Sequence, residues 1–268
     1  MPNTLKISLT QSIKAIKKHK LLFLLLFLTQ LFFLIISSAV FVKFSVTIGD
    51  NIRAFLEPLE NISVVPEEEL ITAIAPAMEK YGYYKAMLRN LTLFIVTMFA
   101  LYIVINSMNW NLSNFILNEK SLFLKYQLKF GILFLTFTLP IIAIINFTTQ
   151  YVFNIDQIQT AIPFYIIISL IFLYFMYISF AYMNKMKNLK QIPNIIKQSF
   201  IIGIKKAKIL IPTIIITTGL PILALYAIST QLEANFLLLL FLIAVFIVLI
   251  NWGRITLLLV IKNLEKTK

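Results

Sequence analysis

The sequence predicts an all-α, polytopic membrane protein with six transmembrane helices arranged as three hairpins, and three observations carry that prediction. Of the 268 residues, 60% are apolar and only 13% are charged, more oil than a water-soluble domain of this length encloses. The apolar residues gather into six runs, each near the ~20 residues that a helix rising 1.5 Å per residue needs to cross roughly 30 Å of hydrocarbon. The charge is partitioned between connectors. Nineteen of the 24 Lys and Arg lie in 1–20, 111–130, 184–208 and 254–268, where Glu119 and Glu265 are the only acids, whereas the other segments hold five basic and nine acidic residues.

Taken in order, the spans read 21–42, 91–110, 129–150, 163–183, 209–229 and 235–255. Each is expected to be helical, because backbone facing lipid must satisfy its own N–H and C=O groups, and continuous apolar runs lack the alternation of a barrel strand. Ahead of the first span, Leu5, Leu9, Ile13 and Ile16 recur at helical spacing while Lys6, Lys14, Lys17 and Lys18 point elsewhere, which predicts an interfacial amphipathic helix. The apolar run that follows is longer than a signal-peptide core, so the first span is expected to be retained.

Between the first two spans lies an outer loop, 44–90, containing "PEEELITAIAPAMEKYG". Pro66 suits the first helical position and Glu67, Glu68 and Glu69 suit the positive end of the dipole. Leu70, Ile71, Ile74 and Met78 then form an apolar stripe, so a helix is expected here, docked on the outer mouth of the bundle, on the membrane or on a partner. The patterns "NIS" at 61 and "NLT" at 90 are glycosylation acceptors in form.

Later spans echo earlier ones. "IKKHKLL" at 16–22 matches "IKKAKIL" at 204–210 in five of seven positions, and both lead straight into an apolar run. "TFTLPIIAI" at 136–144 lies on "TTGLPILAL" at 217–225, and "NW" closes both the second and the sixth spans. A second amphipathic stretch, with Ile192, Ile196 and Phe200 opposite Asn194, Lys197 and Gln198, precedes the fifth span. The chain thus reads as one integral domain, 1–268, of three parallel repeats, about 1–110, 111–183 and 184–268, each an odd span, an outer loop and an even span. The recurrent lysine phrase marks where a surface helix turns into the bilayer.

Buried charge is the usual sign of proton relays and ion pathways. The six spans hold no Asp or Glu, and their only Lys and Arg, Lys129 and Arg254, sit at span edges. The chain has no cysteine and a single histidine, His19, among surface lysines. Thiolate sites, His-rich zinc motifs and Ser–His hydrolysis therefore have no residues to draw on, and no catalytic residue, metal or cofactor is expected. Nucleic-acid binding is not expected either, since the basic residues sit in topogenic connectors and no basic, aromatic-interleaved soluble domain carries them.

Uncharged polarity remains. Thr29, Thr136 and Thr217 fall at matching positions of the odd spans, with Pro140 and Pro221 interrupting two of them. They form a candidate central polar site, or else make ordinary helix–carbonyl bonds beside proline kinks. Asn106, Asn109 and Asn251 with Trp110, Trp252 and Arg254 lie at the basic span ends. There the tryptophans and the arginine are expected to anchor at the interface, or, with Lys17, Lys18, Lys205 and Lys206, to contact a lipid or a partner. The expected partners are anionic lipid headgroups and another membrane protein.

The N-terminal "LTQSIKAIKKHKLLFLLLFL" resembles the opening of several prokaryotic multi-pass membrane families, including the membrane domain found beside some glycerophosphodiester phosphodiesterases. The likeness is confined to the N-terminal ~40 residues. It implies a prokaryotic cytoplasmic (inner or plasma) membrane protein and carries over no catalytic residue. With both termini expected on the cytoplasmic side, the sequence points to a non-enzymatic scaffold or accessory subunit of a membrane complex. A transporter or permease for a small molecule or lipid is the alternative.

Overall fold

The computed structural model describes residues 3–62, 74–119, 123–149, 155–185, 188–231 and 236–266. Every element among them is helical: α1 (Asn3–Lys18), α2 (Lys20–Ile62), α3 (Ile74–Ile116), α4 (Phe123–Thr149), α5 (Ile155–Tyr182), α6 (Ile192–Lys205), α7 (Ala207–Thr230) and α8 (Phe236–Lys266), with two short 3₁₀ turns between α5 and α6. Six of these helices, α2, α3, α4, α5, α7 and α8, are long and apolar enough to cross a membrane. The protein is an all-α, multi-pass membrane protein.

The chain divides into two compact units, Leu31–Tyr102 and Met1–Gln30 with Ile103–Lys268. In the smaller unit α2 and α3 are joined by aromatic pairs: Phe33 against Tyr102 with ring centroids 6.4 Å apart, and Phe94 against both Phe41 and Phe44 at 6.1 and 5.6 Å. The outer loop 44–90 is largely not a loop. α2 runs on to Ile62 and α3 already begins at Ile74. Loss of hydropathy ends the lipid-facing stretch without ending the helix, because each further helical residue adds a hydrogen bond once the turn exists. Residues 63–73, and with them Pro66, Glu67 to Glu69, Leu70 and Ile71, lie outside the described residues.

In the larger unit α7 packs along α8, α4 along α5, α1 on α8 and α6 on α5. The two amphipathic helices bury a different face from the one their apolar stripes suggest. α1 turns Leu5, Ser8 and Ser12 inward and leaves Ile13 48% exposed; α6 buries Ile195, Ser199 and Gly203 while Phe200 stays on the rim. Both buried faces carry small residues four apart, which let backbones approach closely where lipid supplies no hydrophobic drive between helices. Asn263 of α8 donates to Ser8 Oγ (3.0 Å) and Gln11 Oε1 (2.9 Å), pinning α1. On α6, Ser179 and Ser199 hydroxyls meet at 3.0 Å, the Tyr174 hydroxyl donates to the Gly203 carbonyl at 2.8 Å, and Phe175 stacks on Phe200. So these helices are two-sided, one side on protein and one turned outward.

The helical runs are interrupted at His19 and at Lys206, the places the recurrent phrase marks. The hydrogen-bond ladder continues across each: Phe23 N–H bonds the His19 carbonyl and Leu210 N–H the Lys206 carbonyl, both at 3.0 Å. His19 is not simply solvated, since its ring is half-buried and Nε2 is enclosed.

Large apolar side chains are exposed along the spanning helices, among them Leu128, Ile167, Ile215, Leu223, Phe241 and Leu237. In hydrocarbon this outward oil carries no penalty, so packing and hydrogen bonding specify the interior instead. Glycines show the same selection. Gly203 lies against Phe175 and Ile178, with a Cβ there coming within 2.7 Å of the Phe175 ring, whereas nothing lies within 4 Å of a Cβ at Gly219. Gly219→Ala is therefore expected to leave thermal stability in detergent unchanged or to raise it by up to ~1 kcal/mol through helix propensity.

Candidate functional site

Six polar side chains from three helices converge within the larger unit. α2 supplies Thr29 and Gln30, α3 supplies Asn106 and Asn109, and α8 supplies Asn251 and Arg254. The spacing of three residues in α3 and in α8 puts each pair on one helical face. Gln30, Asn106, Asn109 and Asn251 are each no more than 3% exposed, and Arg254 is 8% exposed.

Arg254 organises the cluster because a guanidinium only donates. Nη1 donates to Asn251 Oδ1 at 2.9 Å, and Nη2 donates to Gln30 Oε1 at 3.0 Å and to Asn106 Oδ1 at 2.6 Å. Three amides must therefore present their oxygens to it. Gln30 Oε1 uses its second lone pair for Asn109 Nδ2 at 2.8 Å. That bond leaves Asn109 Oδ1 facing the Thr29 hydroxyl at 2.5 Å, and the Thr29 hydroxyl also lies 2.9 Å from the Leu26 carbonyl. A planar, delocalised and weakly hydrated cation suits burial among such dipoles better than an ammonium would. Beside the cluster, Leu26, Ile116, Ile255 and Leu259 form an apolar plug that Ala15, Ile16 and Phe23 help cover.

Arg254 and Trp110 both depart from the expectation of interfacial anchoring. Arg254 points into the bundle and does not snorkel. Trp110 is 1% exposed, packed on Tyr177 and Phe180, whose ring stacks on Phe130. The physical reason is that α3 continues to Ile116 and α8 to Lys266, so both residues lie inside a helix enclosed by others instead of at a span end meeting headgroups. In the α3 continuation Asn114 Nδ2 donates to the Trp110 carbonyl at 2.9 Å and to the Tyr126 hydroxyl at 3.0 Å. Trp252 is half-buried, Lys17, Lys18 and Lys205 are exposed, and Lys206 is half-buried.

The candidate central site is not assembled. Thr29 joins the amide cluster, but Thr136 is exposed and donates to its own helix at the Ile132 carbonyl (2.7 Å), with Pro140 exposed one turn on. Thr217 and Pro221 are buried in the α7–α8 contact. Pro221 has no N–H to give the carbonyl four residues back, that of Thr217. Gly253 of α8 lies against this carbonyl: a Cβ built there would sit 2.8 Å from the Thr217 oxygen. The threonine–proline pair thus shapes a helix crossing, and the Thr217 hydroxyl is taken by the Thr213 carbonyl at 2.9 Å.

The two acids of the basic connectors tie helix ends together. Glu119 accepts from Lys262 at 3.1 Å and from Asn184 at 2.9 Å, and Glu265 pairs with Lys185. Among the described residues no group of three or more His, Asp or Glu gathers to hold a metal.

The sequence places Asn106, Asn109, Asn251 and Arg254 together only as far as the basic span ends, and does not single out Gln30, Asn114 or Tyr126. A glutamine inside an apolar run was the available signal for the first. Scans against protein-family models, curated proteins and solved structures each return no match.

Proposed function

We propose that this multi-pass membrane protein is non-enzymatic and acts as a scaffold or accessory subunit of a membrane complex. The observation that supports it is the use to which the buried polarity is put. Gln30, Asn106, Asn109, Asn251 and Arg254 bond one another, so their hydrogen-bonding capacity joins α2, α3 and α8 and is not directed at a small molecule. A rigid hub with apolar outer faces is suited to holding a partner in the bilayer. Purification from native membranes in mild detergent, with mass spectrometry, is expected to recover the chain with a stoichiometric membrane partner. A partner-free monomer would overturn this reading. So would solute or lipid flux in proteoliposomes that joint replacement of Thr29, Thr136 and Thr217 by Val abolishes while expression holds.

In the same reading the chain is a threefold parallel repeat lying in a cytoplasmic membrane, with both termini inside. Support comes from the basic connectors, and from α1 and α6 each packing on the closing span of another hairpin. Because the chain has no cysteine, single cysteines are clean probes. One at position 70 is expected to react with an impermeant maleimide from outside intact cells, and one at position 190 only after permeabilisation. Labelling of both from outside would reverse the assignment.

A further inference from the structure

We propose that the first two turns of α2 hold one anionic glycerophospholipid, its phosphate at Lys20 and an acyl chain along Phe23, Leu24 and Phe27. A groove of about 340 Å³ is lined by these four residues. They recur at i, i+3, i+4 and i+7, so they form one face of α2, with the cation at one end and hydrocarbon along the rest. Lys20 to Phe27 covers about 10 Å of helix rise, against roughly 15 Å for the hydrocarbon of one leaflet. A ligand matching that face carries charge at its head and oil behind it, as a lipid does.

The sign of the headgroup follows from the surroundings. Lys17, Lys18 and Lys20 are all exposed within one turn of the interruption at His19. No acid occurs in the chain before Asp50. The acids of the connectors facing the same way are committed elsewhere, Glu119 to Lys262 and Asn184, and Glu265 to Lys185. A phosphodiester without a compensating ammonium meets the Lys20 cation there, with Lys17 and Lys18 adding positive charge nearby in the chain, whereas a zwitterionic headgroup brings its own cation to the same place. This site needs only that α2 enters a bilayer, so it stands apart from the scaffold reading and its failure leaves that reading intact.

The test is native mass spectrometry of the full chain released from nanodiscs of equal phosphatidylglycerol and phosphatidylcholine. The wild type is expected to retain phosphatidylglycerol preferentially. Lys20→Gln should lower that preference about fivefold, the worth of one lysine near an anionic surface, and Lys20→Arg should preserve it. Phe23→Ala with Phe27→Ala should reduce retention of both lipids, and Lys205→Gln on α6 should change nothing. Lys20 is exposed, and an unchanged melting temperature verifies that the variant is folded. Equal retention of the two lipids by the wild type would overturn the proposal. So would equal losses in Lys20→Gln and Lys205→Gln, which would mean diffuse surface charge, or a second copy of the chain held where lipid was expected.

Discussion

Arg254→Ala is expected to lower stability by about 1–3 kcal/mol, the sum of two interhelical hydrogen bonds, to Gln30 and Asn106, at roughly 0.6–1.7 kcal/mol each in a membrane protein. The variant removes the donors that reach Asn251, Gln30 and Asn106, leaving buried amide oxygens facing a void. Arg254→Lys separates geometry from charge. An ammonium keeps the cation but cannot present a planar fork to acceptors from α2, α3 and α8, and it is more costly to desolvate. The lysine variant should therefore melt nearer to the alanine variant than to the wild type. A double-mutant cycle of Arg254→Ala with Asn106→Ala should show coupling of about 0.5–3 kcal/mol, as contacting network partners do. Thermal unfolding in detergent, with Lys205→Ala as the exposed control, checks all three. An Arg254→Ala loss no larger than the control's would mean that the cluster does not hold the helices together.

Gly253→Ala should destabilise by roughly 1–3 kcal/mol, as forced overpacking does, although alanine is the better helix former. The added methyl would meet the Thr217 carbonyl oxygen at 2.8 Å and the Thr217 Cβ at 3.1 Å. The oxygen is backbone and the Cβ is fixed directly to it, in a turn that Pro221 already shapes, so neither can swing aside as a flexible side-chain tip would. Widening the α7–α8 crossing would also disturb Asn251 and Arg254, which flank Gly253 on the same helix. Gly253→Val should be worse. The contrast with Gly219→Ala, where the space is open, makes the comparison internal to one pair of helices. Should both glycine variants melt alike, close approach at Gly253 would not be what selects glycine there.

Much of the architecture was legible in the linear chain. Lipid contact requires long uninterrupted oil and an internally bonded backbone, and both requirements act on consecutive residues; hence the six spans, the all-α class and the helix interruptions at His19 and Lys206. The continuation of α2 to Ile62 and of α3 from Ile74 escaped because hydropathy reports the environment and helix termini do not follow it. The fates of Trp110 and Arg254 escaped for a different reason. An amphipathic residue near a span end has the same local pattern whether its neighbour is a headgroup or another helix.

The order of apolar and basic residues alone determined that this chain is a multi-pass helical membrane protein with its lysines gathered in alternate connectors. Only the tertiary structure decided that Gln30 on α2, Asn106 on α3 and Arg254 on α8 form one buried cluster while Thr136 faces outward. Those three residues are more than 70 positions apart from one another, and side-chain hydrogen bonds act over about 3 Å of space. Which polar groups meet therefore depends on how the helices are rotated and paired, and nothing in local spacing carries that information.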